Sequence, residues 1–251
     1  MRQNMTRAAA LSGTPAFGTM SNLASPLAIE TLGHSGYDFL VIDLQHGETG
    51  LQSLQTQMQV LSTTPTTPLV RTTANNPSEI QRALDLGAYG LIIPFVNSAD
   101  EAEAIVTNAL YPPFGQRSFG PTRAVMYAGS DYFYKAADEL LILPMIETVE
   151  GVRNAREILS VPGVSGCFVG PADLNIALGH GPGTPTTETE KSIAEVVAVT
   201  KELGKVLAIH TTSVADAKAR IDQGFNLMTV AADTRLVRAM SEQNLKELRS
   251  C

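Results

Sequence analysis

Glu147 and Asp173, in "PMIETVEG" and "VGPADLNIALG", are the two carboxylates placed to do chemistry. Each follows an apolar run that reads as a strand, so both project from strand ends. Together they offer a hard divalent cation a partial oxygen shell, leaving positions for water and an oxygen-rich substrate. No His/Cys cluster stands at ligand spacing, so the pair suits Mg²⁺ or Mn²⁺ better than zinc. The competing reading is structural: Glu147 caps the helix beginning near Thr148, and Asp173 caps the helix that follows its own strand. Arg71, closing "PLVR", either pairs with a neighbouring carboxylate or stabilises an oxyanion or enolate oxygen. His46, just after Asp43 in "VIDLQHG", is either a surface histidine or, near a metal, a general base or a positioner of water. Gly170, Pro171 and Ala172 open a helix with little side-chain obstruction, which makes its N–H groups a seat for a small carboxylate. His210 and Asp233 also end apolar runs and receive no catalytic role. Neither do His34 and His180, in a helix end and a loop.

These groups need a scaffold that brings strand ends together. Eight short apolar runs recur along the chain, at 16–20, 38–43, 68–72, 90–96, 140–147, 166–170, 205–211 and 227–233. Several are almost continuously apolar, as parallel strands covered on both faces are. Helical patterns separate them, for example Leu51, Leu54, Met58 and Leu61, and later Val152, Ala155 and Leu159. Starts are marked at Asn76-Pro77 and Ser213 and stops at Gly87 and Gly224. Eight such units over 251 residues predict a (β/α)8 barrel, a TIM barrel, spanning 1–251 as a single domain, with its site at the C-terminal ends of the strands. Asp43, His46, Arg71, Glu147, Gly170–Asp173, His210 and Asp233 all fall there. An open doubly wound sheet is the alternative, but no G-x-G-x-x-G follows the first strand. The longest connection, 111–135, reads as an active-site flap or interface arm.

Composition removes other classes. A net charge of −7 with no Lys/Arg cluster argues against nucleic-acid binding. Two cysteines, Cys167 and Cys251, provide neither a disulfide framework nor a thiolate metal cluster, which fits a reducing cytoplasm. No run is long enough to cross a bilayer or to act as a signal segment, so a protein neither secreted nor membrane-embedded is expected. A Schiff-base mechanism needs a lysine inside the barrel mouth, and none of the six lysines ends a predicted strand.

The segments "VIDLQHG", "PLVRTTANNP", "ALDLGAYGLIIPFVNSADEA", "YPPFGQRSFGP", "PMIETVEG" and "VGPADLNIALG" occur in the order found in the metal-dependent (class II) pyruvate aldolases. The chain resembles this family, which includes 4-hydroxy-2-oxoheptanedioate aldolase and the 2-keto-3-deoxy sugar acid aldolases, from about Phe17 to Asp233. The resemblance implies a carbon–carbon lyase in which the enolate of pyruvate, or of a 2-oxo acid such as hydroxypyruvate, reacts reversibly with an aldehyde. It further implies a divalent cation (Mg²⁺, Mn²⁺ or Co²⁺) and a homohexamer, a trimer of dimers, with an exchanged C-terminal helix. Carried over by motif, Glu147 and Asp173 hold the metal, Arg71 stabilises the enolate, and the amides around Gly170, Pro171 and Ala172 receive the substrate carboxylate. His46, with Asp43 and Asp85, belongs to the base machinery. Two positions depart: Gln45 stands where many relatives have Glu, and Met145 where many have Gln, removing a polar contact to the keto acid. The alternatives are an acyl-CoA lyase of the citrate lyase β type, disfavoured by the lack of a basic groove, and a non-catalytic keto-acid and metal-binding barrel. Asp85 ends a helix and should lie on the face opposite its own site, so its role requires a neighbouring subunit.

Overall fold

The apolar runs become strands β1 (Ala16–Ser21), β2 (Phe39–Asp43), β3 (Thr67–Arg71), β4 (Gly90–Ile93), β5 (Leu141–Ile146), β6 (Gly166–Val169), β7 (Val206–Thr211) and β8 (Leu227–Ala232). In the computed structural model, which describes residues 1–250, they pair in chain order and β8 closes on β1 to give a barrel. Every neighbouring pair is parallel. The helices are α1 (Met5–Leu11), α2 (Pro26–Gly33), α3 (Leu51–Leu61), α4 (Pro77–Asp85), α5 (Ala99–Ala109), α6 (Thr122–Ala128), α7 (Tyr132–Glu139), α8 (Val149–Arg153), α9 (Ala155–Ser160), α10 (Pro171–Ala177), α11 (Thr187–Glu202), α12 (Val214–Gln223) and α13 (Asp233–Arg249). Asn76 caps α4 and Ser213 caps α12 through their side chains, and Gly224 ends α12 in a left-handed conformation that costs a glycine little.

Because side chains alternate along a strand, the core divides into two layers. Phe39, Val41, Leu69, Leu143, Met145, Phe168 and Ala208 fill the barrel interior. Leu40, Ile42, Val70, Ile142 and Ile146 face the surrounding helices. The same two-residue step carries the interior face onto the rim: Met20 to Asn22, Val41 to Asp43, Leu69 to Arg71, Met145 to Glu147, Phe168 to Gly170, and Ala208 to His210. Polar residues can therefore follow apolar ones within one strand, since past the last interior layer the inward direction opens on a cavity.

Three local expectations change. The single helix expected through Val152, Ala155 and Leu159 is two, α8 and α9, divided at Asn154, whose amide donates to the Asn97 carbonyl at 2.7 Å. The 111–135 connection carries a helix of its own, α6, and the start of α7, which its sequence did not announce. The strand read through 96 ends at Ile93, because Phe95 adopts a left-handed φ of 54°. Among the described residues no helix is long and apolar enough to cross a membrane.

Candidate active site

The rim residues surround a cavity of about 760 Å³ lined by Asn22, His46, Arg71, Gly170–Asp173, His210 and Arg235, among others, with Met20, Met145 and Phe168 as its apolar floor. A space of this size holds a two-part substrate of modest length. Among the described residues, no lysine lines it.

Arg71 is half of a buried ion pair. Its Nε and Nη2 donate to the two oxygens of Asp43 at 2.8 and 2.6 Å. Asp43 is fully buried and also accepts from the Asn22 side chain at 3.0 Å and from the backbone amides of Gln45 and His46 at 3.0 and 3.3 Å. Burial pushes its carboxyl upward, but the hydrogen bonds and charge of Arg71, with the two amides, outweigh that and hold it below the usual range. The fork fixes the plane of the guanidinium, and Asp43 also shapes the turn that carries His46. The His46 ring is exposed and has no hydrogen-bond partner within the chain among the described residues.

Glu147 is the most unusual carboxylate. Only 1% exposed, it accepts from the Phe95 amide at 2.9 Å through Oε1, while Oε2 is buried with no partner. A Cβ on residue 170 would collide with Oε2, so glycine is required there. Burial pushes the Glu147 carboxyl up to about 7, with the charge of Asp173 reinforcing the shift and the Phe95 amide and Arg71 opposing it. The structural reading of both carboxylates fails. Thr148, not Glu147, caps α8 by accepting from Gly151 N, and α10 has no side-chain cap bond although Asp173 lies in its first turn. A buried orphan carboxylate oxygen within electrostatic reach of a second carboxylate is what a hard cation would satisfy. Among the described residues no group of three His, Cys, Asp or Glu is gathered for a metal.

A sign follows for stability. A carboxyl raised from about 4.5 to about 7 on folding stabilises the fold at low pH and loses that contribution as pH rises between those values. Metal-free protein is therefore expected to lose stability between pH 5 and pH 8 in urea denaturation, and Glu147→Gln should flatten that slope; parallel slopes for the two proteins would contradict the assignment.

Of the residues named from sequence, His46, Arg71, Gly170, Pro171, Ala172 and Asp173 line the cavity; Asp43 and Glu147 lie directly behind Arg71 and Gly170. The Gly170 amide points at the Ile146 carbonyl, 3.4 Å away, so Ala172 and Asp173, in the first turn of α10, supply the N–H groups without intrahelical acceptors. Asp85 is not brought to this cavity. It ends α4 and accepts from Arg117 at 2.6 Å; Arg117 is itself buried against Tyr111 and Tyr132. Asp233 is a clamp that joins the end of β8 to the end of β1. Its carboxylate accepts from the Asn22, Leu23 and Thr234 amides at 3.0, 3.1 and 2.7 Å. Asn22 was legible as the inward residue two beyond Met20. Glu190, Asp216, Arg220 and Arg235 arrive from three helices, and no spacing in the sequence announces them.

The closed parallel barrel thus carries two neighbouring acidic groups and an arginine fixed by Asp43 at the C-terminal ends of its strands. The HpcH/HpaI aldolase/citrate lyase family model matches residues 17–239, and the chain belongs to that family. It is similar to a hydroxypyruvate/pyruvate aldolase of Rhizorhabdus wittichii, 36% identical over 98% of this chain and 99% of that one. It is also similar to a 4-hydroxy-2-oxo-heptane-1,7-dioate aldolase of Escherichia coli, 34% identical over 96% and 93% of the two chains. Among solved structures, an HpcH/HpaI aldolase/citrate lyase family protein from Burkholderia cenocepacia superposes with a TM-score of 0.93 at 30% identity, covering 98% of this chain and all of that one. The activity is accordingly that of a pyruvate aldolase, a carbon–carbon lyase.

Proposed function

We propose that the protein is a divalent-metal-dependent aldolase that joins the enolate of pyruvate or hydroxypyruvate to an aldehyde, and reverses that step. The observation that carries the metal requirement is the buried, unpartnered Oε2 of Glu147 facing the same region as Asp173. These two residues would hold Mg²⁺, Mn²⁺ or Co²⁺, which when bound supplies Lewis-acid stabilisation of negative charge on the keto oxygen. The first-turn amides at Ala172 and Asp173 seat the substrate carboxylate against the Gly170-Pro171 turn. Arg71, locked by Asp43, presents a permanent charge to the enolate oxygen without reorganising during the reaction. In cleavage His46 accepts the proton of the 4-hydroxyl, the C3–C4 bond breaks, and its electron pair becomes the enolate. In synthesis the pyruvate methyl proton is removed first, and the enolate carbon attacks the aldehyde. Met145, in the apolar floor, offers the bound keto acid no polar contact there.

The assembly belongs to the same proposal. α13 buries only Asp233 and leaves Val237, Met240 and Leu248 exposed, an apolar stripe suited to packing on a second copy as an exchanged helix within a hexamer. Cys167 is buried, and burial pushes its thiol up to about 12, so it is chemically inert.

The decisive experiment is deuterium exchange at the pyruvate methyl, followed by NMR in D2O. Exchange is expected with Mg²⁺, Mn²⁺ or Co²⁺ and not with EDTA. Arg71→Lys, which keeps the charge but loses the fork to Asp43, should slow exchange at least tenfold. Binding of metal and pyruvate without any exchange would instead support the non-catalytic binding barrel.

A further inference from the structure

The cavity is larger than a three-carbon oxo acid requires, and its outer wall is built from groups with no part in the donor chemistry. Pairing them by contact leaves one guanidinium over. Arg220 is only 5% exposed and is held by two carboxylates, Glu190, whose two oxygens accept from it at 2.7 Å each, and Asp216 at 3.2 Å. Asp216 is further fixed by the Thr212 amide at 3.1 Å. Arg71 is matched by Asp43, while Glu147 and Asp173 lie within electrostatic reach of each other. Arg235 lines the same cavity and makes no hydrogen bond or ion pair among the described residues.

Two features make this more than a stray surface charge. Arg235 lies in the first turn of α13, and the Asp233 clamp ties that turn to the end of β1, so Arg235 stays at the rim wherever the rest of α13 packs. Next to it, His210 is a cavity wall rather than a second cation. Its Nδ1 is held 2.9 Å from the Thr229 hydroxyl, and burial, with the charges of Arg71 and Arg235, pushes the imidazole down to about 4. Glu190 and Asp216 balance Arg220 and Arg235 in number, but both carboxylates are held on Arg220, so the outer half of the cavity presents one guanidinium with no protein partner, beside a ring that burial keeps neutral.

We infer that Arg235 is a specificity-determining residue that selects acceptor aldehydes bearing an anionic group, carboxylate or phosphate, at the end remote from the reacting carbonyl. The inference rests on the aldolase reading and names the acceptor class for that same site. Salt should weaken the selection, since Arg235 is exposed and its field is screened.

The test is aldol addition of pyruvate by the metal-loaded enzyme to succinic semialdehyde, glycolaldehyde phosphate and neutral aldehydes of matched length, measuring kcat/KM at low and high salt. The wild type should favour at least one anionic aldehyde over its neutral match by tenfold or more, and the favoured member of the pair identifies carboxylate or phosphate as the group recognised. In Arg235→Ala the anionic-to-neutral ratio should collapse towards one, chiefly through KM; Arg235→Lys should restore part of it, and Arg235→Glu should push it below one. A ratio that is near one in the wild type, or unchanged by Arg235→Ala and Arg235→Glu, overturns the inference. Pyruvate methyl exchange in the wild type, run without any aldehyde, separates this failure from failure of the aldolase reading: exchange with no acceptor preference removes only the role of Arg235, whereas no exchange removes the reading itself and this inference with it.

Discussion

Glu147→Gln and Asp173→Asn are each expected to lose metal affinity and aldolase activity together, with turnover falling at least about a thousandfold at metal concentrations that saturate the wild type. The two carboxylates are the acidic groups at the cavity that no arginine already holds, so removing one charge halves what is left for a cation. Glu147→Gln retains an oxygen for the Phe95 amide, and the conservative swap should leave the barrel folded. The effect should differ from that of an arginine variant, where metal affinity is largely retained and turnover is lost, because Arg71 touches Asp43 and not the acidic pair. EDTA should abolish activity in the wild type and Mg²⁺, Mn²⁺ or Co²⁺ restore it. Borohydride with pyruvate should leave the enzyme active, since no lysine lines the cavity among the described residues. Normal metal binding and turnover by Asp173→Asn would sink the ligand assignment.

The second large effect concerns assembly. His46 has no partner for its ring in its own chain among the described residues, and Asp85 sits away from the cavity on the end of α4, engaged with Arg117. Loss of activity in Asp85→Ala alone is ambiguous, because it leaves the buried Arg117 guanidinium without its carboxylate, a change that destabilises by roughly 3–5 kcal/mol in comparable buried pairs. Complementation resolves this. If Asp85 of one subunit orients His46 of the next, His46→Ala and Asp85→Ala oligomers should each be severely impaired, and co-expression should restore activity at interfaces that pair two intact residues. Random mixing gives such a site about one time in four. Mixed oligomers without rescue, together with near-normal turnover by Asp85→Ala, would leave His46 working within its own subunit.

What the sequence by itself determined is what depends on local periodicity and backbone chemistry. Eight apolar runs separated by amphipathic helices specify a closed parallel barrel, because strands apolar on both faces need cover inside and out. The strand ends then place Asp43, Arg71, Glu147 and Gly170 on one rim, and all four are found there. Asn22 and His210 obey the same two-residue step from the interior layer. The tertiary structure alone decided which charges meet. Whether Glu147 caps a helix or faces an orphaned site depends on Thr148 and on the left-handed turn at Phe95, which aims an amide from a different strand end at Oε1. Whether Arg71 is free depends on the β2–β3 register, which sets Asp43 opposite it. The outer wall, with Arg220 held by Glu190 of another helix and Arg235 left without a partner, has no signature along the chain: electrostatic pairing acts over a few ångströms in space, and Glu190 lies 30 residues from Arg220 in sequence.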